Sequence, residues 1–137
     1  MSYNLTKITP NLVVSDVSRS IAFYRDRLGF AVAFTVPEQA PLVFAAMQRG
    51  SLEIFLNAPE AAGNDYPALA GRALGGTMTL FIEVKGVGEA HDALAGSVPI
   101  VMPLKKQWYG MTEFAFADPD GYIITLAERT QEAAQGN

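Results

Sequence analysis

Few side chains in this sequence combine a reactive type with a position that a fold must explain. Glu53 stands in Ser51-Leu52-Glu53-Ile54-Phe55, a carboxylate midway along an apolar run with strand character. A carboxylate that faces inward must be paired, hydrated or protonated, because burying an unpaired charge is costly. Three roles fit it: a structural hydrogen bond to Thr9, Thr79 or Thr125, an anchor for a ligand amine or hydroxyl, or a general base, the one catalytic candidate in the chain. Trp108 and Tyr109, beside Gly110, form an aromatic pair that either anchors its loop or stacks on a planar or cationic ligand. The single histidine, His91, shares helical spacing with Val87 and Leu94 and is expected half-buried against a sheet. No cysteine is present, so disulfides, thiolate nucleophiles and thiolate metal sites are all excluded.

The elements that must position these residues come in two similar sets. Ile8 to Val14 followed by a helix over Ser18 to Leu28 is answered by Met78 to Val84 followed by a helix over Val87 to Leu94, so that Thr79 follows Thr9 by 70 residues. A hairpin over Val43 to Leu56, turning at Arg49-Gly50, is answered by one over Phe114 to Leu126, turning at Asp118-Pro119-Asp120-Gly121. Such an internal repeat dictates architecture before any single element does. In the first strand Ile8, Leu12 and Val14 form an aliphatic face for the helix, opposite Thr9, Asn11 and Val13. The first helix takes Asp16 or Ser18 as its N-cap and stops at Gly29, and Phe30 to Val36 reads as a further strand. Strand alternation sets Ser51, Glu53, Phe55 and Asn57, then Thr79, Phe81 and Glu83, and Ile123, Thr125 and Ala127, on the faces turned away from the helices.

The remaining segments read as connections. Residues 58–76, rich in Ala, Gly and Pro with turn signals at Asn64-Asp65 and Gly75-Gly76, form a linker between module one (about 6–57) and module two (about 77–128). Ser97 to Val101 supplies a strand, Pro103 to Gly110 a loop, and 129–137 a polar, frayed tail. The whole chain of 137 residues, half of it hydrophobic, is expected to be one domain. The net charge of −4 comes from scattered acids, and basic residues never cluster beyond Lys105-Lys106, which argues against nucleic acid as a partner. No segment is apolar enough to span a membrane and the polar start is no signal peptide, so a cytoplasmic protein is expected.

The run Ile8-Thr9-Pro10-Asn11-Leu12-Val13-Val14-Ser15-Asp16, with Ser20-Ile21-Ala22-Phe23-Tyr24-Arg25-Asp26 and Leu28-Gly29-Phe30, resembles the opening of the vicinal oxygen chelate superfamily, which includes glyoxalases, bleomycin-resistance proteins and extradiol dioxygenases. Phe116-Ala117-Asp118-Pro119-Asp120-Gly121-Tyr122 resembles its terminal hairpin. The resemblance implies an α+β fold of two tandem βαβββ modules whose curled mixed sheets enclose a central cleft, in a homodimer. It also implies four positions that hold a divalent ion in metal-dependent members, and here these fall on Thr9, Glu53, Thr79 and Thr125. Threonine hydroxyls are poor ligands for a transition metal, which takes imidazole, thiolate or carboxylate. The expectation is therefore a metal-free, cofactor-free binding protein of the bleomycin-resistance kind. It would take a small molecule, an antibiotic or other planar or cationic compound, through Thr9, Asn11, Glu53, Phe55, Thr79, Phe81, Trp108, Tyr109 and Thr125. The alternative is a glyoxalase-like lyase or dioxygenase-type enzyme with a divergent active site.

Overall fold

The computed structural model describes residues 2–130. The elements run β1 (Asn11–Val13), α1 (Val17–Leu28), β2 (Ala31–Val36), β3 (Phe44–Arg49), β4 (Leu52–Asn57), α2 (Pro59–Asp65), a 3-10 turn at Pro67–Leu69, β5 (Thr79–Glu83), α3 (Val87–Leu94), β6 (Ile100–Lys106), β7 (Met111–Ala117) and β8 (Ile123–Arg129). They form an α+β fold of two four-stranded mixed sheets, ordered β1-β4-β3-β2 and β5-β8-β7-β6. The chain divides into two compact units, with the break between Arg72 and Ala73.

Unit one is built on the aliphatic face of its strands. α1 starts at Asp16, whose carboxylate accepts the Arg19 amide at 3.1 Å, and ends at Gly29, whose φ of 72° an L side chain rarely adopts. The Gly29 and Phe30 amides close the helix on the carbonyls of Arg25 and Tyr24. Arg49, in the hairpin, donates to the Leu28 carbonyl at 2.9 Å, bringing a guanidinium to the negative end of the helix dipole. Val17, Ile21, Tyr24 and Leu28 are buried, as are Leu12, Val14, Ala45, Met47, Ile54 and Leu56 of the strands. Each large side chain so buried contributes about 1.5–3 kcal/mol. β1 is parallel to β4, with Asn11 opposite Phe55 and Val13 opposite Asn57. Ile8 does not join the aliphatic face: it is 92% exposed, because β1 pairs only from Asn11 onward.

Unit two repeats the plan. β5 is parallel to β8, with Thr79, Phe81 and Glu83 opposite Ile123, Thr125 and Ala127. Leu80, Phe114, Phe116, Ile124 and Leu126 are buried together with Val87 and Leu94 of α3. His91 is half-buried, edge-on to Phe114 with ring centroids 5.0 Å apart, which is the helix-to-sheet packing its spacing predicts. The β7–β8 turn is held by Asp118, whose carboxylate accepts the amides of Asp120 and Tyr122 at 2.9 Å each. Gly75 lies against this turn: a Cβ there would stand 2.3 Å from the Asp120 carbonyl oxygen, and its φ is +73°.

Residues 58–76, expected as a linker, contain α2, entered through Pro59 at the first helical turn. Two expected strand boundaries are corrected. The strand expected over Ser97 to Val101 instead runs from Ile100 to Lys106, so Pro103, Lys105 and Lys106 belong to β6 and only Gln107 to Gly110 form the turn. Pro103 is tolerated because β6 is an edge strand with irregular pairing between Met102 and Lys105. β8 includes Arg129, and the rest of the expected tail from 131 onward lies outside the described residues.

Candidate functional site

The faces opposite the helices carry the candidate residues, and each unit brings together its own set. In unit one, parallel pairing of β1 with β4 sets Thr9, just before β1, beside Glu53. The Thr9 hydroxyl donates to Glu53 Oε1 at 3.2 Å, and Lys7 donates its ammonium to the same oxygen at 2.5 Å. The hydrogen bond from Lys7 is the main cause that lowers the Glu53 pKa, helped by the lysine charge and by Thr9 and Gln48, while burial opposes it. Glu53 is thus held as an anion with its partner in place, a weak base for proton abstraction. Farther along this face Asn57 donates to the Asn11 side chain, and Phe34, Phe44 and Phe55 form a run of rings with centroids 5.7 and 5.2 Å apart. Phe34 remains 55% exposed.

In unit two, Thr79, Phe81 and Thr125 share one face of β5 and β8, Phe81 directly opposite Thr125. Phe81 is exposed and Thr125 buried. The two members of the aromatic pair behave differently. Trp108 is 87% exposed and does not anchor its turn. Tyr109, edge-on to it at 5.2 Å, does so through a 2.8 Å hydrogen bond from its hydroxyl to Glu113 Oε1. That hydrogen bond, followed by burial and the Glu113 charge, raises the Tyr109 pKa above its ordinary value.

Glu113 is the polar residue that the sequence reading missed. It lies in the middle of β7, is 4% exposed, and also receives a long hydrogen bond of 3.4 Å from Gln107 Nε2. Its other oxygen, Oε2, is buried without a partner. The signal was present in Thr112-Glu113-Phe114-Ala115-Phe116, where alternation sets Glu113 and Ala115 opposite the core residues Phe114 and Phe116.

Of the four positions the resemblance implies, Glu53 and Thr125 stand at similar places in their hairpins, but register does not make them equivalent. Asn11 faces Phe55 where Phe81 faces Thr125, so the structural counterpart of Thr125 is Phe55, and that of Glu53 is Ile123. Glu53 is therefore two residues removed, at the next position on the same face, from Phe55, the counterpart of Thr125.

The sequence model of the glyoxalase/bleomycin resistance protein/dioxygenase superfamily matches residues 5–126, and the chain belongs to that superfamily. It is 30% identical over 125 residues to a bleomycin resistance protein of Geobacillus stearothermophilus, covering 88% of this chain and 94% of that one. A protein of unknown function from Agrobacterium tumefaciens has a similar structure, with a TM-score of 0.73 and 27% identity over 92% of this chain and 95% of the other. A glyoxalase/bleomycin resistance protein/dioxygenase from Nocardioides shares the fold, with a TM-score of 0.77 and 17% identity over 99% of this chain and 91% of the other.

The divalent ion implied by the resemblance does not fit the donors present. Thr9, Thr79 and Thr125 offer neutral hydroxyls, Phe55 offers none, and Glu53 is already engaged by Lys7. Among the described residues no group of three or more His, Cys, Asp or Glu side chains is placed to hold a metal. Such a donor set does not match the nitrogen, sulfur or carboxylate preference of zinc, nickel or iron.

Proposed function

We propose that the chain binds a small organic molecule directly, without a metal, and that it does so as a homodimer in the cytoplasm. One observation carries this reading: where a chelating site would need ligands, the chain has threonines, and its one carboxylate there is engaged by Lys7 and Thr9. What the same faces do offer is aromatic and aliphatic surface with a few hydrogen-bonding groups, the usual composition of a small-molecule site. Phe34 and Val36 in unit one, and Phe81 and Val101 in unit two, are all between 47% and 55% exposed, apolar surface that supports a ligand or a second copy.

The relative from Geobacillus is named for bleomycin resistance, which makes metal-free bleomycin the first compound to try. Calorimetric titration with and without a chelator is the test. Saturable binding of equal affinity in both conditions is expected, with light scattering giving twice the chain mass. Binding that vanishes with the chelator would overturn the metal-free reading. Absence of binding to bleomycin and to a panel of planar cations would overturn the binding reading itself.

A further inference from the structure

We propose that unit two contains an anchoring point for an organic cation, an ammonium or amidinium group, at Glu113 Oε2 beside the Tyr109–Trp108 pair. The proposal rests on the small-molecule reading above and names the chemistry of the ligand.

Glu113 is buried in the middle of a strand, yet its two oxygens are treated unequally. Oε1 takes both donors within reach, the Tyr109 hydroxyl at 2.8 Å and Gln107 Nε2 at 3.4 Å. Oε2 takes none. Nor do its neighbours on that face supply a donor: Met111 and Ala115 flank it along β7, and Ala127 lies opposite on β8. Lys105 is opposite on β6 but is exposed and makes no ion pair with it. A buried acceptor with no donor from the protein is an exception that calls for an explanation, and a cation answers a carboxylate more strongly than a neutral group does, since charge-assisted hydrogen bonds are roughly twice as strong.

The aromatic pair adds a second, independent preference for positive charge. Tyr109 holds Glu113 through its hydroxyl, and Trp108, set edge-on to it, is almost wholly exposed. An exposed indole face without a structural role is a good surface for a cation carried on a flat or aliphatic body. Carboxylate and rings therefore select the same ligand: a cationic head for Oε2 and an apolar body for the indole.

Two probes matched in shape test this on the full chain, phenethylammonium and its neutral analogue 2-phenylethanol, followed by amide chemical shifts. Phenethylammonium is expected to shift the amides of Tyr109, Glu113 and Ala127 saturably in the wild type, and to bind at least about tenfold more tightly than 2-phenylethanol. Glu113→Gln keeps the size of the side chain and should remove this preference while leaving 2-phenylethanol unchanged. The shift map of the wild type is independent of whether that variant folds. Equal affinities for the two probes, or a preference that survives Glu113→Gln, would overturn the anchor and leave the small-molecule reading standing. If neither probe shifts any amide up to about 10 mM, a concentration that would reveal even very weak binding, the anchor fails, while the bleomycin titration decides the reading it rests on.

Discussion

The two units share a backbone plan and differ in where they keep their acids. Asp16 caps α1 from its own turn, while the equivalent position in unit two is Gly86, which has no side chain to offer. There the cap comes from β8 instead: Glu128 Oε1 accepts the Gly86 and Val87 amides at 3.0 Å each. Its counterpart in unit one, after β4, is Ala58. The same contrast holds on the opposite faces, where unit one pairs Glu53 with Lys7 near solvent and unit two buries Glu113 at a position that unit one fills with Phe44. The two units share strand order and the register of their parallel pairs, which the core enforces, whereas the outer pairs are irregular at different places and the faces opposite the helices distribute charge differently.

If that division is right, equivalent core positions must respond alike and equivalent polar positions must not. The largest effect is expected from Leu56→Ala and Leu126→Ala, which occupy matching positions opposite Leu12 and Ile82 and are 0% and 4% exposed. Each should cost about 3 kcal/mol in denaturant unfolding. A loss several-fold smaller in one unit would break the equivalence.

A smaller and asymmetric effect is expected at the caps. Asp16→Ala should cost about 1 kcal/mol and speed amide exchange at Arg19, whereas Glu128→Ala should speed exchange at Gly86 and Val87 and leave α1 unchanged. The Glu128 pKa is lowered, first by the hydrogen bond from Val87 and then by that from Gly86. Its contribution is therefore complete above the ordinary carboxylate range near about 4.3 and is lost as pH falls through the lower folded value. Protection at Gly86 and Val87 that stays unchanged after the pH has fallen through that lower folded value would contradict the remote cap.

The smallest effect on stability belongs to Lys7→Met. Lys7 is exposed at 58% of its side chain, and such pairs contribute little to folding. Glu53 should nevertheless lose the main cause of its lowered pKa, and an NMR titration should find it higher in the variant. An unchanged Glu53 titration would show that Thr9 and Gln48 alone hold the carboxylate.

Much of this plan was legible in the residues. The repeat, the Asp16 and Gly29 ends of α1, the limits of α3 and both hairpin turns follow from local signals that tertiary packing reinforced. What escaped was set by contacts distant in sequence or by residues with two meanings. Lys7 and Glu53 are 46 residues apart, and no local pattern announces their pairing. Pro103 reads as a strand breaker until β6 is known to be an edge, and Pro59 reads as a loop residue until it is seen to open α2. Glu53 and Thr125 fall at similar places in their hairpins, but the turns differ in length, and only the parallel pairing with β1 and β5 reveals the offset of two residues.

The central claim is that this member of the superfamily has kept the scaffold and holds small molecules without the family's metal. Elemental analysis of the protein purified without chelator, combined with native mass spectrometry, tests it most directly. The account predicts a mass free of zinc, nickel or iron at stoichiometric level. One such ion per chain, lost together with ligand binding on dialysis against chelator, would contradict it.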